Sequence, residues 1–166
     1  MPSELHETFI RKVDGEIQFQ LKALAAGSDS AADFARSIAP TGSRRMKFKI
    51  TSEPRSQQAA ASAETKPLIQ HEPDASFGHK DAKYPRVVIE ISYSQKRKDL
   101  SRLADDYILE SNGNVRIVVG LDIEYRESKR ATLSVWRPQV VKSERDGREE
   151  LVPLDPRQCR LPTMAR

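Results

Sequence analysis

The stretch Arg86-Val87-Val88-Ile89-Glu90-Ile91-Ser92 is the most strand-like part of the chain. It is rich in β-branched residues, which fit the pleated surface of a sheet. Residues two apart share one face of a strand, so Glu90 lies on the same side as Val88 and Ser92. Apolar residues occur on both sides, which predicts a strand covered on both faces and a carboxylate in the interior.

Downstream of this strand, the periodicity of apolar residues changes twice. From Leu100 to Ile108 they recur at helical spacing, and Asn112-Gly113 is a typical helix end. From 115 to 125 every second residue is apolar, and 131–136 repeats the alternation after a charged turn. The pattern predicts a helix and then a β-hairpin, with Trp136 packed under a helix.

The C-terminal part contains one more turn signal. Asp146-Gly147 is a tight-turn pair between two short apolar segments and predicts a further hairpin. Pro138 and Gln139 interrupt the alternation before it, and we expect a loose tail after Leu154.

Upstream of the central strand, apolar residues from Glu4 to Leu24 recur every three or four positions and predict a first helix. A second, short helix is predicted over 31–38. The segment 45–50 alternates strictly and predicts a half-buried strand with a basic outer face. Residues 51–72, much of which is rich in Gln, Ala and Ser, are predicted to form a flexible insertion loop. A short strand is predicted at 73–77.

The length of 166 residues is enough for one domain with a real core. We therefore expect an α/β domain over 1–143, followed by a C-terminal hairpin and tail over 144–166. The expected architecture is a mixed β-sheet flanked by helices, in the order α-β-β-β-α-β with additional C-terminal strands. No Gly-x-Gly-x-x-Gly sequence follows a strand and no Walker pattern is present, which disfavours the common nucleotide-binding folds.

The composition excludes several classes of protein. No apolar run is long enough to cross a membrane, and the N-terminus lacks the features of a secretory signal. The single cysteine, Cys159, cannot form an internal disulfide or a cysteine-rich zinc site. We expect an intracellular protein without a membrane partner.

The formal net charge is +4, and the basic residues are locally concentrated. The two clusters are Arg44, Arg45, Lys47 and Lys49, and Lys96, Arg97, Lys98 and Arg102. Each cluster is either a solvated face or a surface that binds phosphate groups.

An unpaired buried carboxylate costs several kcal/mol, so Glu90 must pair with a cation, be protonated or bind a metal. Lys47, Lys49 and Arg86 are the cations that neighbouring strands could supply. Asp74 begins a strand that can form a hairpin with the strand of Glu90, which would bring the two carboxylates together. Two converging acids suit Mg²⁺-assisted hydrolysis of phosphodiesters. The alternative for Asp74 is a turn or cap aspartate after a proline.

Pro73-Asp74 on one strand and Glu90 on the next, within the order α-β-β-β-α-β, resemble the PD-(D/E)XK nuclease superfamily, which has the restriction-endonuclease-like fold. The closest similarity is to a large family of restriction-endonuclease-like proteins whose strand reads Glu-Val-x-Ser. The corresponding residues are Val88 to Ser92, Asp99-Leu100, Arg102-Leu103 and Tyr107. The strand departs from the pattern at two positions, with Ile91 in place of the valine and Tyr93 in place of the serine. The similarity covers residues 5 to 137.

The resemblance implies that Asp74 and Glu90 hold Mg²⁺ or Mn²⁺, with Glu7, Asp14 or Glu16 as a third acid. The lysine of the superfamily belongs two residues after the glutamate, where this chain has Ser92, and a hydroxyl cannot supply its positive charge. Some members carry that lysine on the following helix. Lys98 is the candidate we choose there, with Lys96 and Arg102 as alternatives.

We therefore expect either a metal-dependent nuclease with Asp74, Glu90 and Lys98 as catalytic residues, or a descendant that kept the fold and lost the chemistry. The alternative is a non-catalytic domain that binds nucleic acid or protein. The residues expected to contact nucleic acid, DNA rather than RNA, are Arg45, Lys47, Lys49, Lys96 and Arg102. A homodimer would allow two copies to cut both strands, and the sequence leaves this open.

His6 is predicted at an exposed helix position. His71 and His79 flank the strand of Asp74 and are predicted in surface loops, with contact to the site as the alternative.

Overall fold

The computed structural model describes residues 4–49, 68–93, 99–123, 131–142 and 147–161. Within these residues the chain forms three helices and eight strands. In chain order they are α1 (Glu4–Ala25), α2 (Ser30–Ser37), β1 (Ile38–Pro40), β2 (Met46–Lys49), β3 (Leu68–His71), β4 (Ala75–His79), β5 (Val87–Tyr93), α3 (Leu100–Glu110), β6 (Ile117–Ile123), β7 (Ala131–Lys142) and β8 (Glu149–Leu161).

Six of the strands form one mixed sheet in the order β1-β4-β5-β6-β7-β8. Strands β5 and β6 run parallel and are connected through α3, whereas the other neighbouring pairs are antiparallel. The remaining two, β2 and β3, pair antiparallel in a small second sheet. The predicted mixed α/β architecture is confirmed.

Helices cover the large sheet on both faces, because β5 carries apolar side chains on both sides. Ile89 and Ile91 lie in a cluster that receives the apolar stripe of α1. The stripe residues in that cluster are Phe9, Ile10, Val13, Ile17 and Leu21. Val88 lies in the second cluster, with Tyr107 and Ile108 of α3. The predicted amphipathic character of both helices is therefore confirmed.

The segment 45–50 is a strand, as predicted, but it does not join the large sheet. As β2 it pairs with β3, where Met46 lies opposite His71 and Lys49 opposite Leu68. The place beside β4 is taken by β1, which the sequence did not predict. Phe48 of β2 is buried in the same cluster as α3, so the small sheet extends the cover on that face.

Two predicted irregular regions contain strands. The expected flexible insertion 51–72 includes β3, whose Ile69 packs against the cluster of Phe48, so the prediction is wrong for 68–71; residues 51–67 lie outside the described part. The tail predicted to be loose after Leu154 continues as β8 to Leu161. Backbone pairing with β7 explains this, since Ala131 lies opposite Leu161 and Lys142 opposite Glu149.

The interruption predicted at Pro138 is not a break. Strand β7 continues through it with a register shift between Val135 and Arg137, and Pro138 lies opposite Pro153 of β8. Strand β8 thus belongs to the same sheet as the rest of the domain. None of the described helices combines the length and the apolar composition that a membrane span requires.

Candidate functional site

Asp74 and Glu90 lie near each other where β4 pairs with β5. The two strands run antiparallel with Ala75 opposite Ile89. Asp74 immediately precedes β4, so the predicted strand start at 73 is wrong by two residues, and the next step of the register places Asp74 across from Glu90 in the middle of β5. The backbone N–H of Ile91 donates a hydrogen bond of 2.7 Å to Oδ2 of Asp74. The predicted hairpin is therefore observed, with Asp74 next to the central part of β5.

Glu90 is buried, with 2% of its surface exposed. The hydroxyl of Tyr107, itself fully buried on α3, donates a hydrogen bond of 2.7 Å to Oε1 of Glu90. Burial raises the pKa of Tyr107, and the charge of Glu90, the hydrogen bond to it and the charges of Asp74 and Asp106 raise it further. The phenol therefore stays protonated and acts as a donor to the carboxylate.

The cations proposed as partners of Glu90 lie in different environments. Arg86 is exposed, and its guanidinium donates to the carbonyl of Asn114 over 3.4 Å. Lys47 is exposed on β2, and the side chain of Lys49 lies outside the described residues. Tyr107 donates a hydrogen bond to Glu90, and the sequence placed it in the apolar stripe of α3 without giving its hydroxyl a role.

His6 of α1 lies beside Asp74, and its prediction as an exposed residue is wrong. Its Nε2 is 3.7 Å from Oδ2 of Asp74 and 3.3 Å from the carbonyl oxygen of Ile91. Both side chains are only 12% exposed. A signal was present in the sequence, because His6 precedes Ile10 by four residues and so continues the apolar stripe of α1.

The three acids considered as a third ligand differ in position along α1. Glu7 is partly buried and follows His6, at the end of the helix that reaches Asp74. Asp14 and Glu16 accept hydrogen bonds from Gln18 and Gln20 within the helix. They lie eight and ten residues beyond His6, or about 12 to 15 Å along the axis. Of the three, Glu7 is at the end of α1 nearest to the site.

A second polar pair lies next to Tyr107. Nε2 of His71 is 3.0 Å from Oδ2 of Asp106, and the rings of His71 and Tyr107 have centroids 5.2 Å apart. The prediction that His71 belongs to a surface loop is wrong, because it lies on β3 and is 16% exposed at its side chain. His79 is more exposed, near Asp81. Two consecutive residues of α3 thus contact different strands, Asp106 the strand β3 through His71 and Tyr107 the strand β5 through Glu90.

Ser92 lies two residues after Glu90, at the position where the resemblance predicts a lysine. It is buried on β5, and the parallel register places it opposite Asp122 of β6. Lys98 and Lys96, the candidates for a migrated lysine, lie outside the described residues. Arg102 is exposed in the first turn of α3, where its backbone N–H donates to Oδ1 of Asp99.

The donor set at Asp74 and Glu90 is suited to a hard cation. Mg²⁺ is commonly held by one or two carboxylates together with water and substrate phosphate oxygens. A carboxylate accepts at several lone-pair positions, so one donated hydrogen bond uses only part of its capacity. Among the described residues, no group of three or more His, Cys, Asp or Glu side chains is arranged to hold a metal. A divalent cation held by these two acids would need its remaining ligands from water and substrate.

Two of the remaining basic candidates, Arg45 and Lys47, are exposed. Arg45 forms an exposed ion pair with Glu72, and Lys47 is exposed on β2. Lys49 ends β2, and its side chain is outside the described part. These residues belong to the small sheet and its approach, not to the Asp74–Glu90 pair.

A scan of protein-family models, a search of curated proteins and a search of solved structures each find no match to this chain.

Proposed function

We propose that this chain is a metal-dependent phosphodiester hydrolase of the restriction-endonuclease-like type, acting on nucleic acid, with DNA preferred over RNA. Asp74 and Glu90 hold Mg²⁺ or Mn²⁺. The observation that carries the proposal is the position of Asp74, directly before β4, where the N–H of Ile91 next to Glu90 donates a hydrogen bond to its carboxylate.

The order of elements supports the proposal. Helix α1, strands β1, β4 and β5, helix α3 and strand β6 follow the order α-β-β-β-α-β when two additions are left out. The additions are α2, between α1 and β1, and the small sheet of β2 and β3, between β1 and β4. Strands β5 and β6 run parallel and are joined by α3, and Glu90 lies in the middle of this parallel pair.

Hydrogen bonds that fix one oxygen of each acid support the proposal. The N–H of Ile91 fixes one oxygen of Asp74, and the hydroxyl of Tyr107 fixes one oxygen of Glu90. A bound divalent metal would polarise a phosphoryl oxygen and lower the pKa of a water molecule. Lys98 supplies the positive charge that Ser92 cannot provide.

The second candidate function is a non-catalytic nucleic-acid-binding or protein-interaction domain. Ser92 favours it, because a small buried hydroxyl occupies the position of the catalytic lysine. The structural hydrogen bonds made by both acids also favour it, since a buried carboxylate with a tyrosine donor can serve the fold alone.

Cleavage of single- and double-stranded DNA and of RNA with Mg²⁺ or Mn²⁺ tests the proposal. Asp74→Asn and Glu90→Gln keep side-chain size and remove the charges, and we expect both to abolish cleavage and to weaken Mn²⁺ binding measured by calorimetry. Asp33→Asn is the matched control, because Asp33 is exposed on α2, which contacts the end of α1 opposite to His6. Glu7→Gln tests the third acid, and Lys98→Ala tests the migrated lysine.

The outcomes separate the two functions. Loss of cleavage in the Asp74 and Glu90 variants, with thermal stability close to that of the wild type, supports the hydrolase. If the wild type neither cleaves nor binds Mn²⁺, and both variants are destabilised, the hydrolase proposal is contradicted. This outcome supports a non-catalytic binding domain that has kept the fold.

A further inference from the structure

A basic cleft lies at the other end of β4 from Asp74, between the β1–β2 connection and the β4–β5 connection. Its volume is about 270 Å³. The charged and ionisable side chains that line it are Arg44, Arg45, Lys47, His79 and Lys83. No Asp or Glu is among its described lining residues.

Part of this positive charge is neutralised by neighbours and part is not. Glu72 pairs with Arg45, and Oδ2 of Asp81 is 3.5 Å from Nδ1 of His79. Within the described chain, the other three cations form no ion pair; they are Arg44, Lys47 and Lys83. Three unneutralised cations around one concave surface create a positive potential that attracts an anion.

The β1–β2 wall of the cleft is held in place by hydrogen bonds to β4. The backbone N–H of Thr41 donates to the carbonyl of Ser76 over 2.8 Å. The buried hydroxyl of Ser76 donates to the carbonyl of Gly42 and lies 2.7 Å from the hydroxyl of Thr41. This wall is therefore fixed before any ligand binds, which reduces the entropy lost on binding.

The opposite wall depends on a glycine. A Cβ on Gly78 would lie 3.1 Å from Cα of Pro85, so the absence of a side chain lets the β4–β5 connection fold closely over the end of β4. The N–H of Arg86 donates to the carbonyl of Phe77 at the base of this wall. Lys83 lies at its rim, with Nζ 5.1 Å from the centroid of the Tyr84 ring.

We infer that this cleft binds the phosphate backbone of a nucleic acid at a site separate from the Asp74–Glu90 pair. The choice of a nucleic acid among polyanions rests on the proposed function. Between Asp74 and His79 the strand covers about 17 Å at 3.3 to 3.4 Å per residue. The rise of duplex DNA is 3.4 Å per base pair, so this spacing corresponds to about five base pairs. One duplex is therefore long enough to span the distance between the two sites.

The test is fluorescence anisotropy with a labelled DNA duplex of about 20 base pairs, titrated over a range of salt without divalent metal. The variant is the triple substitution Arg44→Gln, Lys47→Gln and Lys83→Gln. We expect its affinity at low salt to fall by about tenfold or more, and the slope of log K against log salt to fall by about three.

The matched control removes three cations from α1, through Arg11→Gln, Lys12→Gln and Lys22→Gln. All three are exposed, and α1 covers the opposite face of the large sheet. The control should bind almost as the wild type does. Equal weakening in both triple variants, or no binding of the duplex by the wild type, would contradict the inference that the cleft binds DNA. Tighter binding of polyglutamate than of DNA would contradict the assignment of a nucleic acid as the ligand of the cleft.

Measuring binding without metal keeps this inference separate from the hydrolase proposal. If the cleft variant loses affinity and neither the wild type nor any variant cleaves DNA, the result supports DNA binding by the cleft and contradicts the hydrolase proposal. Cleavage by the wild type, with an unchanged Kd and KM in the cleft variant, supports the hydrolase and contradicts the cleft.

Discussion

Tyr107 and Glu90 form a buried hydrogen bond of 2.7 Å that connects α3 to β5. The donor is fully buried and the acceptor is 2% exposed, so water does not replace either partner readily. The bond fixes the carboxylate that we assign to the metal, and it belongs to the fold as much as to the site.

Removing the hydroxyl of Tyr107 is expected to destabilise the fold. Tyr107→Phe leaves Oε1 of the buried Glu90 without this donor, and we expect a loss of about 1.5 to 3 kcal/mol in the free energy of unfolding. Urea denaturation measures it. Tyr84→Phe is the control, because the Tyr84 ring stacks on Phe48 at 5.5 Å and is only partly buried. A similar loss in both variants would contradict the specific role of the Tyr107 hydroxyl.

The same bond predicts a dependence of stability on alkaline pH. The pKa of Tyr107 is raised in the folded state by burial and then by the charge of Glu90, whereas an unfolded tyrosine ionises near pH 10. Above about pH 10 the unfolded chain loses this proton and the folded chain keeps it, so stability falls as the pH rises.

Urea denaturation between about pH 8 and pH 11 tests this prediction. The slope attributable to one group is at most about 1.4 kcal/mol per pH unit. We expect the advantage of the wild type over Tyr107→Phe to shrink above about pH 10. A constant difference between the two proteins over the whole range would show that Tyr107 does not retain its proton.

Gly120 is predicted to be intolerant of any side chain. It lies on β6 opposite Glu90, and a Cβ there would be 2.7 Å from Cζ3 of Trp136 and 3.1 Å from Cδ1 of Leu100. Gly120→Ala should lower stability by about 1 to 3 kcal/mol through overpacking. Thermal denaturation by circular dichroism measures it.

The control for Gly120 is Gly15 in α1, where a Cβ would have no other heavy atom within 4 Å. Gly15→Ala should raise stability by about 0.5 to 1 kcal/mol, because alanine favours the helix. If both substitutions shift the melting temperature in the same direction, the contact with Trp136 does not determine the effect.

Asp105 is expected to oppose folding at neutral pH. Burial, followed by the charges of Asp106 and Asp99, raises its pKa. A carboxyl whose pKa is raised on folding favours the folded state at low pH, and this contribution disappears as the group ionises. Asp105→Asn should therefore stabilise the protein at pH 7 by a few tenths of a kcal/mol, since solvent screens a partly exposed group.

Urea denaturation of the Asp105→Asn variant and the wild type at two pH values tests this. Below about pH 3 the carboxyl is protonated in both states, and the two proteins should have equal stability. An equal gain at both pH values would assign the effect to amide packing instead of charge.

Local patterns predicted the core elements well. The three- and four-residue spacing of Phe9, Ile10 and Val13 defines α1, and the β-branched run of 87–91 defines β5. Strands β6 and β7 were predicted from strict alternation. In each of these elements the apolar face is long enough for its period to be recognised within the element itself.

The missed strands depend on distant partners. Strand β1 has three residues and ends in a proline, and its pairing is with β4, far along the chain. Strand β3 is short and contains Gln70 and His71, and it is defined by Met46 to Lys49 of β2. Strand β8 contains prolines and is held by its long pairing with β7. Such pairings leave little signal in a local window.

The candidate site was predicted in part. Glu90 was found because an acid inside an apolar strand requires a partner, and the predicted hairpin brought Asp74 to it. The contact of His6 with Asp74 depends on how the end of α1 packs on the sheet, which the sequence does not specify. The role of the Tyr107 hydroxyl was not predicted, because the ring of Tyr107 fits the apolar pattern of α3.

The two outer strands of the large sheet also determine how copies of this protein can associate. Strand β1 is short and ends at Pro40, and β8 contains Pro153 and Pro156, which have no N–H to donate. Glu149 and Glu150 add exposed charge where β8 begins. Both borders are therefore poor templates for a further strand, which protects against edge-to-edge aggregation. A homodimer would have to form through side-chain surfaces and not through a continuous intermolecular sheet.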